Sequence, residues 1–237
     1  MIDATLGERS NSIALNGHSV YQSCAVTHEN NFYIYGGDSD ERQVLQVDNC
    51  GLTLIGSLSF DHDKGACGSS NGVIVLCFDV SDTKQCRKST SPLGEWSEMT
   101  SSTYEHRWIS IALSPGKLIS PFYKLSFEFQ DEFLAVGSYS PNSFKAELYS
   151  FGSDVWTEVS DYPFGVRCVS FYDMVYIPEL PAYIVIGGYD GRNRISNIGK
   201  FQNGAWSDVG QLNKARSVSF RSFFYILKLL RQFGLNG

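Results

Sequence analysis

The sequence predicts an all-β protein. Three observations indicate a β-propeller with four recognisable four-stranded blades. First, one unit occurs four times: a hydrophobic strand ends in Gly-Gly or a remnant of it, an aromatic or apolar residue follows 17 or 18 positions later, and a basic residue follows 10 or 11 positions after that. Second, turn-forming residues such as Asn71-Gly72 and Asn203-Gly204 divide each unit into four short β-type segments. Third, 14% aromatic residues and 22 glycines suit strands joined by tight turns. Repeats of about 40 to 60 residues that are built from short strands are typical of propeller blades.

The second segment of each unit, strand b in an order a to d, is a continuous apolar run that leads into the doublet. Such runs indicate strands that are buried on both faces. The doublet is intact at Gly36-Gly37 and Gly187-Gly188, and its remnants are Phe78-Asp79 and Gly137-Ser138. Because glycine accepts backbone conformations closed to other residues, we expect the doublet to let a neighbouring segment approach closely.

Two further anchors repeat after each doublet. We expect the tryptophans to pack against the neighbouring blade and to be more than half buried. The residues at this anchor are Leu54, Trp96, Trp156 and Trp206. The residues at the basic anchor are Lys64, Arg107, Arg167 and Arg216. Strand a is predicted to follow the basic residue directly, at 107–113, 167–171 and 216–220.

The repeat predicts one domain over residues 1–220 and an irregular or helical tail over 221–237. The predicted blades are 20–63, 64–106, 107–166 and 167–215. Residues 10–16 could supply a strand d, and residues 216–220 begin a fifth strand a that never reaches its doublet. We therefore expect a partial or open ring.

The glycine doublets and the downstream tryptophans resemble the kelch repeat family, over about residues 20 to 220. The resemblance implies a β-propeller of four-stranded blades. Kelch propellers usually have more blades than the four units found here, which is a second reason to expect an open ring. The departures are Phe78-Asp79, Gly137-Ser138 and Leu54.

No catalytic residue, metal site or cofactor is predicted. Gly68 to Gly72 matches G-x-S-x-G but lies between two strands, so it is interpreted as a hairpin turn. The four histidines lack metal-ligand spacing, and the carboxylates around His62 are interpreted as turn residues, with a metal site as the alternative. The net charge of −6 argues against nucleic acid as a partner, and no apolar run is long enough for a membrane span.

Six cysteines leave the redox state and the compartment, cytoplasmic or extracellular, open. If the cysteines are oxidised, we expect local disulfides drawn from Cys67, Cys77 and Cys86 within one blade, or between Cys24 and Cys50. Cys168 is expected to be free. The alternative is that all six are reduced.

The b–c loops and the d–a connections emerge at the same end of an antiparallel blade, and they carry the candidate binding residues. These are Lys64, Arg107, Arg167, Arg216, Asp38, Asp40, Tyr139, Tyr189, Asp190 and Arg192. The expected function is a non-catalytic scaffold that binds another protein or a peptide with acidic or hydrogen-bonding groups. The alternatives are that each basic residue only stabilises its own blade, that the chain is a copper-oxidase-like or other metal-binding enzyme, or that it is a fragment of a larger multidomain kelch protein. The oligomeric state is not predicted.

Overall fold

The computed structural model describes residues 22–37, 40–48, 51–114, 132–140, 143–164 and 168–217. These residues form sixteen strands in four antiparallel sheets of four strands each. Within the described ranges there is no helix, and hence none that could cross a membrane. The predicted all-β fold with four four-stranded blades is confirmed.

Each blade pairs its strands in chain order. Blade 1 contains β1 (Cys24–His28), β2 (Asn31–Tyr35), β3 (Gln43–Asp48) and β4 (Gly51–Ser57). Blade 2 contains β5 (Ala66–Ser70), β6 (Val73–Cys77), β7 (Cys86–Ser89) and β8 (Ser97–Glu98). Blade 3 contains β9 (Ala112–Leu113), β10 (Glu132–Val136), β11 (Ala146–Ser150) and β12 (Val155–Val159). Blade 4 contains β13 (Asp173–Ile177), β14 (Ala182–Ile186), β15 (Asn197–Gln202) and β16 (Ala205–Gln211).

The first strands of successive blades lie against one another, β1 against β5, β5 against β9 and β9 against β13. This is a propeller-like arrangement, in which strand a is innermost. Strand b of every blade is largely buried, most completely in β14, where all five residues are buried. The predicted turns at Asn71-Gly72 and Asn203-Gly204 have positive φ at both residues, as a two-residue type I′ hairpin requires.

The glycine doublet is the place where one blade touches the next through the backbone. Gly36 and Gly187 have φ of 64° and 65°. A Cβ on Gly36 would lie 1.7 Å from the carbonyl oxygen of His62, and one on Gly187 would lie 2.7 Å from that of Arg216. The second doublet residue, Gly188, donates its N–H to the Arg216 carbonyl at 2.9 Å. The doublet therefore meets both a conformational and a steric requirement.

The tryptophans join the blades in a repeated way. Trp156 Nε1 donates to the Thr100 carbonyl at 2.7 Å, and Trp206 Nε1 donates to the Ser160 carbonyl at 2.8 Å. In both cases the acceptor follows strand d of the preceding blade. Trp96 packs edge-on against Tyr35 of blade 1. All three tryptophans are more than half buried, as predicted.

The assignment of Leu54 to the tryptophan position is wrong. Trp156 pairs with Tyr149 and Trp206 with Phe201, each from the second residue of strand d. The second residue of β4 is Leu52, which is 2% exposed, whereas Leu54 is 49% exposed. A fixed distance from the doublet does not locate the tryptophan position in blade 1, because the b–c loop is shorter there. β3 begins six residues after Gly37, whereas β15 begins nine residues after Gly188.

The predicted strand a is also misplaced in two blades. In blade 4 the residues from Cys168 to Ser170 make only isolated bridges, and Phe171 has a φ of 51°, so strand a begins at Asp173. In blade 3 the positive φ of Trp108 interrupts the predicted run, and only β9 is regular. A left-handed residue turns the chain and cannot continue a strand.

The disulfides match the expectation in part. Cys77–Cys86 is local to blade 2, as predicted, and Cys168 is free. The expected Cys24–Cys50 pairing is wrong, because Cys24 is bonded to Cys67 of the next blade. The innermost strands β1 and β5 place these two residues side by side. Three predicted segments lie outside the described residues: the strand d at 10–16, most of the fifth strand a and the tail over 221–237. The open ring therefore stays a prediction.

Gly36→Ala should destabilise the protein far more than Gly72→Ala. Both glycines have positive φ, which costs an alanine about 1–2 kcal/mol. A Cβ at Gly72 meets nothing within 4 Å, whereas at Gly36 it collides with the His62 backbone. Urea unfolding should therefore give a loss of unfolding free energy for Gly36→Ala that exceeds the Gly72→Ala loss by about 2 kcal/mol or more. Equal losses would contradict the backbone contact between blades 1 and 2.

Trp156→Ala should lower the unfolding free energy by about 3–5 kcal/mol because it opens a cavity between blades 2 and 3. Trp156→Phe keeps an aromatic ring but removes the N–H that bonds Thr100, so its cost should be smaller, at about 1–3 kcal/mol. Thermal or urea unfolding measures both. A Trp156→Ala protein as stable as the wild type would refute the assigned packing.

Candidate functional site at the loop end

The b–c loops and the d–a connections lie at one end of the four sheets, which we call the loop end. The opposite end, which carries the a–b and c–d hairpins, is called the turn end. The arrangement follows from the antiparallel strand order of every blade. Of the ten predicted binding residues, Asp38 and Arg167 lie outside the described residues. The other eight lie in the b–c loops or beside the d–a connections.

The d–a connections share a backbone feature that the sequence did not reveal. One residue of the connection has positive φ in every blade. It lies two positions before the first residue of strand a in blades 1, 2 and 4, and four positions before it in blade 3. These residues are Gln22, Lys64, Trp108 and Phe171, with φ of 62°, 56°, 57° and 51°. Lys64 N–H donates to the Gln22 carbonyl at 3.1 Å, and Phe171 N–H donates to the Trp108 carbonyl at 2.8 Å. These four residues are therefore structurally equivalent.

This equivalence shows that the three described basic residues, Lys64, Arg107 and Arg216, do not occupy one repeated position. Lys64 matches Trp108, not Arg107. Arg216 matches His62, because both donate their N–H to the preceding b–c loop and accept the N–H of a doublet glycine. The predicted basic anchor is therefore wrong as a structural repeat.

Aromatic rings from blades 3 and 4 gather at the loop end in what we call the aromatic cluster: Trp108, Tyr139, Phe171 and Tyr189. The ring centroids of Trp108 lie 4.2 Å from Tyr139 and 5.0 Å from Phe171. Tyr139 and Tyr189 are stacked at 6.4 Å. Tyr139 is 41% exposed, although its ring contacts all three of the others. The cluster thus combines fixed ring positions with an exposed apolar surface.

Arg107 and Trp108 hold the cluster in place through their backbone. Arg107 N–H donates to Ser138 Oγ at 3.1 Å, and the Arg107 carbonyl accepts the Tyr139 N–H at 3.1 Å. Arg107 Nε and Trp108 Nε1 are buried, and among the described residues neither has a hydrogen-bond partner. Buried donors without a partner are uncommon in folded proteins, and here two of them lie behind one aromatic surface.

The blade 1 and blade 2 side of the loop end is acidic. Lys64 Nζ is bound to Asp63 at 2.6 Å, and Arg42 is bound to Asp61 at 2.6 Å. Asp79, which stands at a doublet position, accepts the Asp63 N–H at 2.6 Å. Desolvation, followed by repulsion from Asp61, Asp63 and Asp79, raises the pKa of Glu41. The loop end therefore has an acidic half and an aromatic half.

Asp40, Asp190 and Arg192 have local roles in their loops. Asp40 Oδ1 accepts the Arg42 N–H at 3.1 Å. Asp190 is 7% exposed, and its Oδ1 accepts the N–H groups of Arg192 and Asn193 at 2.9 and 2.6 Å. Both aspartates stabilise turns in the manner usual for this residue. The Arg192 side chain is exposed beside them.

A buried polar pair joins blades 2 and 3 beneath the loop end. His106 Nε2 lies 3.0 Å from Glu147 Oε2, and His106 Nδ1 lies 2.7 Å from the Gly137 carbonyl. The Glu147 carboxylate also accepts the N–H groups of Thr103 and Tyr104 at 3.0 Å each. Burial opposes ionisation of Glu147, but the hydrogen bonds from His106, Tyr104 and Thr103 outweigh it and lower the carboxyl pKa below its usual value.

Neither this pair nor the bonded cysteines between blades 1 and 2 was predicted. His62 and His106 lie at the same point of successive d–a connections, 44 residues apart, and this spacing was the available signal. In the part of the chain that the structure describes, no group of three His, Cys, Asp or Glu side chains is placed to hold a metal ion. A cavity of about 370 Å³ lies at the turn end between blades 2 and 3, lined by residues such as Asn71, Lys88 and Phe151.

The sequence matches no protein-family model and no curated protein. Its fold does match solved structures, in 187 chains. One of them is the structure of YjhT, with a TM-score of 0.61 and 12% sequence identity; the match covers 83% of this chain and 72% of the YjhT chain. This similarity concerns the fold alone.

Glu147→Gln should destabilise the protein by about 3 kcal/mol near neutral pH, because the buried His106 side chain and the N–H groups of Thr103 and Tyr104 lose a charged acceptor. The pKa of Glu147 is lower in the folded than in the unfolded protein, so its ionisation adds to the unfolding free energy. This contribution is complete above the unfolded carboxyl pKa of about 4.3 and is lost as the pH falls through the folded pKa. The difference from wild type, measured by urea unfolding, should therefore shrink below about pH 4.

Glu158→Gln is the matched control, because Glu158 pairs with Glu147 across β11 and β12 but is exposed. Its stability should stay close to that of the wild type at every pH. Equal behaviour of the two variants would contradict the role of the buried pair.

Proposed function

We propose that this chain is a non-catalytic scaffold that binds a peptide segment of another protein at its loop end, with the aromatic cluster as the main contact surface. The observation that carries the proposal is the partial exposure of a fixed aromatic group. Tyr139 is packed by three rings and yet 41% exposed. Rigid aromatic side chains at the centre of an exposed surface are the residues that most often dominate protein binding.

The polar surroundings favour a peptide that carries an acidic group next to an apolar one. Arg107 is partly exposed and Arg192 is exposed, so two guanidinium groups place positive charge and N–H donors beside the cluster. A carboxylate would accept from such donors, while an apolar side chain would lie on Tyr139. On the blade 1 and blade 2 side, the exposed carboxylates of Asp40 and Glu41 would orient the peptide by repelling its negative end.

The shape of the region supports a peptide rather than an enclosed small molecule. The cavity of about 370 Å³ and a second of about 300 Å³ are both at the turn end. The aromatic cluster belongs to loops that stand at the ends of rigid blades, which is where binding residues are commonly placed. We propose in addition that the four units are kelch repeats, since the glycine doublets and the tryptophans perform the same contacts in more than one blade.

The test is selection of a random peptide library on the whole chain, followed by affinity measurement of the selected peptide by calorimetry. We expect peptides with an acidic residue close to an apolar residue. Tyr139→Ala and Arg107→Ala should each weaken binding by about tenfold or more. Val155→Ala is the matched control, because Val155 is 49% exposed on β12, outside the loop end, and should bind as the wild type does.

Thermal unfolding of each variant ensures that a loss of binding is not a loss of fold. The proposal is refuted if the library yields no consensus peptide. It is also refuted if Tyr139→Ala binds the selected peptide as tightly as Val155→Ala does.

A further inference from the structure

The chain contains two disulfides in contrasting environments. Cys77–Cys86 lies within blade 2, and both residues are at most 1% exposed. Cys24–Cys67 joins blade 1 to blade 2 across the innermost strands, and both of its residues are partly exposed. Accessible disulfides exchange with thiols much faster than buried ones, so the two bonds differ in the first requirement for exchange.

A histidine lies against the accessible bond. His62 Nε2 is 3.4 Å from Cys24 Sγ, and the ring is held by the surrounding backbone, with Gly65 packed against its Cε1 and Nε2 edge. His62 N–H donates to the Glu41 carbonyl at 2.7 Å, which fixes the residue in the d–a connection. Burial lowers the pKa of His62 to about 4, with Asp79 opposing and Arg87 reinforcing this effect, so the imidazole is neutral at physiological pH.

We propose that Cys24–Cys67 is a site of thiol–disulfide exchange, in which a small dithiol or a protein dithiol reversibly opens the bond between blades 1 and 2 and His62 assists the departure of Cys24. The proposal rests on the contact of His62 with Cys24, the partial exposure of the bond and its position between two blades. It does not depend on the peptide-binding function.

The exchange is balanced as follows. One thiolate of the dithiol attacks Cys67 Sγ, the Cys24–Cys67 bond breaks, and Cys24 leaves as a thiolate that accepts a hydrogen bond from neutral His62 and then takes up a proton. The second thiol of the reagent then attacks the mixed disulfide and releases Cys67. The two protons of the dithiol finish on Cys24 and Cys67, and the reagent becomes a disulfide, so two electrons pass to the protein.

Opening the bond would loosen one blade from the next. β1 and β5 are in contact along their length, and Ser69 Oγ donates to the Thr27 carbonyl near their far ends. The covalent link between them closes a segment with a sequence separation of 43 residues. Loss of such a link increases the freedom of the unfolded chain and lowers stability.

The first test is timed reduction of the whole chain by dithiothreitol under native conditions. Samples are alkylated with a light reagent and, after full reduction, with a heavy one, and mass spectrometry reports each cysteine. We expect Cys24–Cys67 to open at least about tenfold faster than Cys77–Cys86. Equal rates, or faster opening of Cys77–Cys86, would overturn the proposal, as would a Cys24–Cys50 bond in the starting protein.

The second test replaces His62 by Gln, which keeps a polar side chain but removes the imidazole. We expect opening of Cys24–Cys67 to slow by roughly tenfold with no change at Cys77–Cys86. The buried bond is an internal control, because a general loosening of the fold would speed up both bonds. An unchanged or faster rate at Cys24–Cys67 removes the role of His62.

The third test concerns the consequence for the fold. The double variant Cys24→Ser/Cys67→Ser should melt about 10 °C below the oxidised wild type, and mild reductant should lower the wild-type Tm to a similar value without affecting the variant. Cys168→Ser is the matched control, because burial raises the pKa of this free thiol and it takes part in neither bond. A double variant that melts with the oxidised wild type would show that the bond does not hold the blades.

Discussion

The close approach of one blade's backbone to the next, at the end of strand b, is the constraint on which the rest of the structure depends. A d–a connection must pass over the doublet of the preceding blade within hydrogen-bond distance, as Gly188 and Arg216 show. Only a residue without a Cβ leaves room where the carbonyl of His62 meets Gly36. Once this contact is made, strand a of the next blade starts beside strand a of the previous one. The innermost strands, the tryptophan contacts and the loop end then follow from the same repeated step.

The three interfaces between blades meet this constraint with different chemistry. Blades 1 and 2 are joined by the Cys24–Cys67 disulfide, whereas blades 2 and 3 share the buried pair of His106 and Glu147. Between blades 3 and 4, the Tyr172 hydroxyl lies 2.6 Å from the Val136 carbonyl. A covalent bond, a buried His–Glu pair and a hydrogen bond from a tyrosine hydroxyl thus join successive pairs of blades. The close backbone approach recurs at Gly36, Gly137 and Gly187, whereas blade 2 has Phe78 at this position. The side chains that join the blades differ from one interface to the next.

Local patterns predicted the features that local physics controls. Continuous apolar runs indicated the buried b strands, and Asn-Gly pairs indicated two-residue turns, because each depends on a few adjacent residues. The misplaced features depend on geometry between blades. Because Phe171 has positive φ, strand a of blade 4 begins only at Asp173, and an aromatic residue type does not predict that conformation. Likewise, the pairing of Cys24 with Cys67 needs the two innermost strands to lie side by side, which a separation of 43 residues allows but does not require.

In the candidate site, too, local sequence patterns predicted some residues, whereas geometry between blades determined others. Tyr139 and Tyr189 were identified because they follow the doublets, but Trp108 and Phe171 were not, since their equivalence lies in backbone φ and not in residue type. The basic residues are regularly spaced in the sequence, but the described ones, Lys64, Arg107 and Arg216, lie at different positions of their d–a connections. Regular spacing along a chain therefore locates the loops that form a surface, whereas the side chains that meet there depend on small differences in loop length. In this protein those differences place an aromatic group over blades 3 and 4 and carboxylates over blades 1 and 2, and this asymmetry gives the loop end a direction in which a partner can lie.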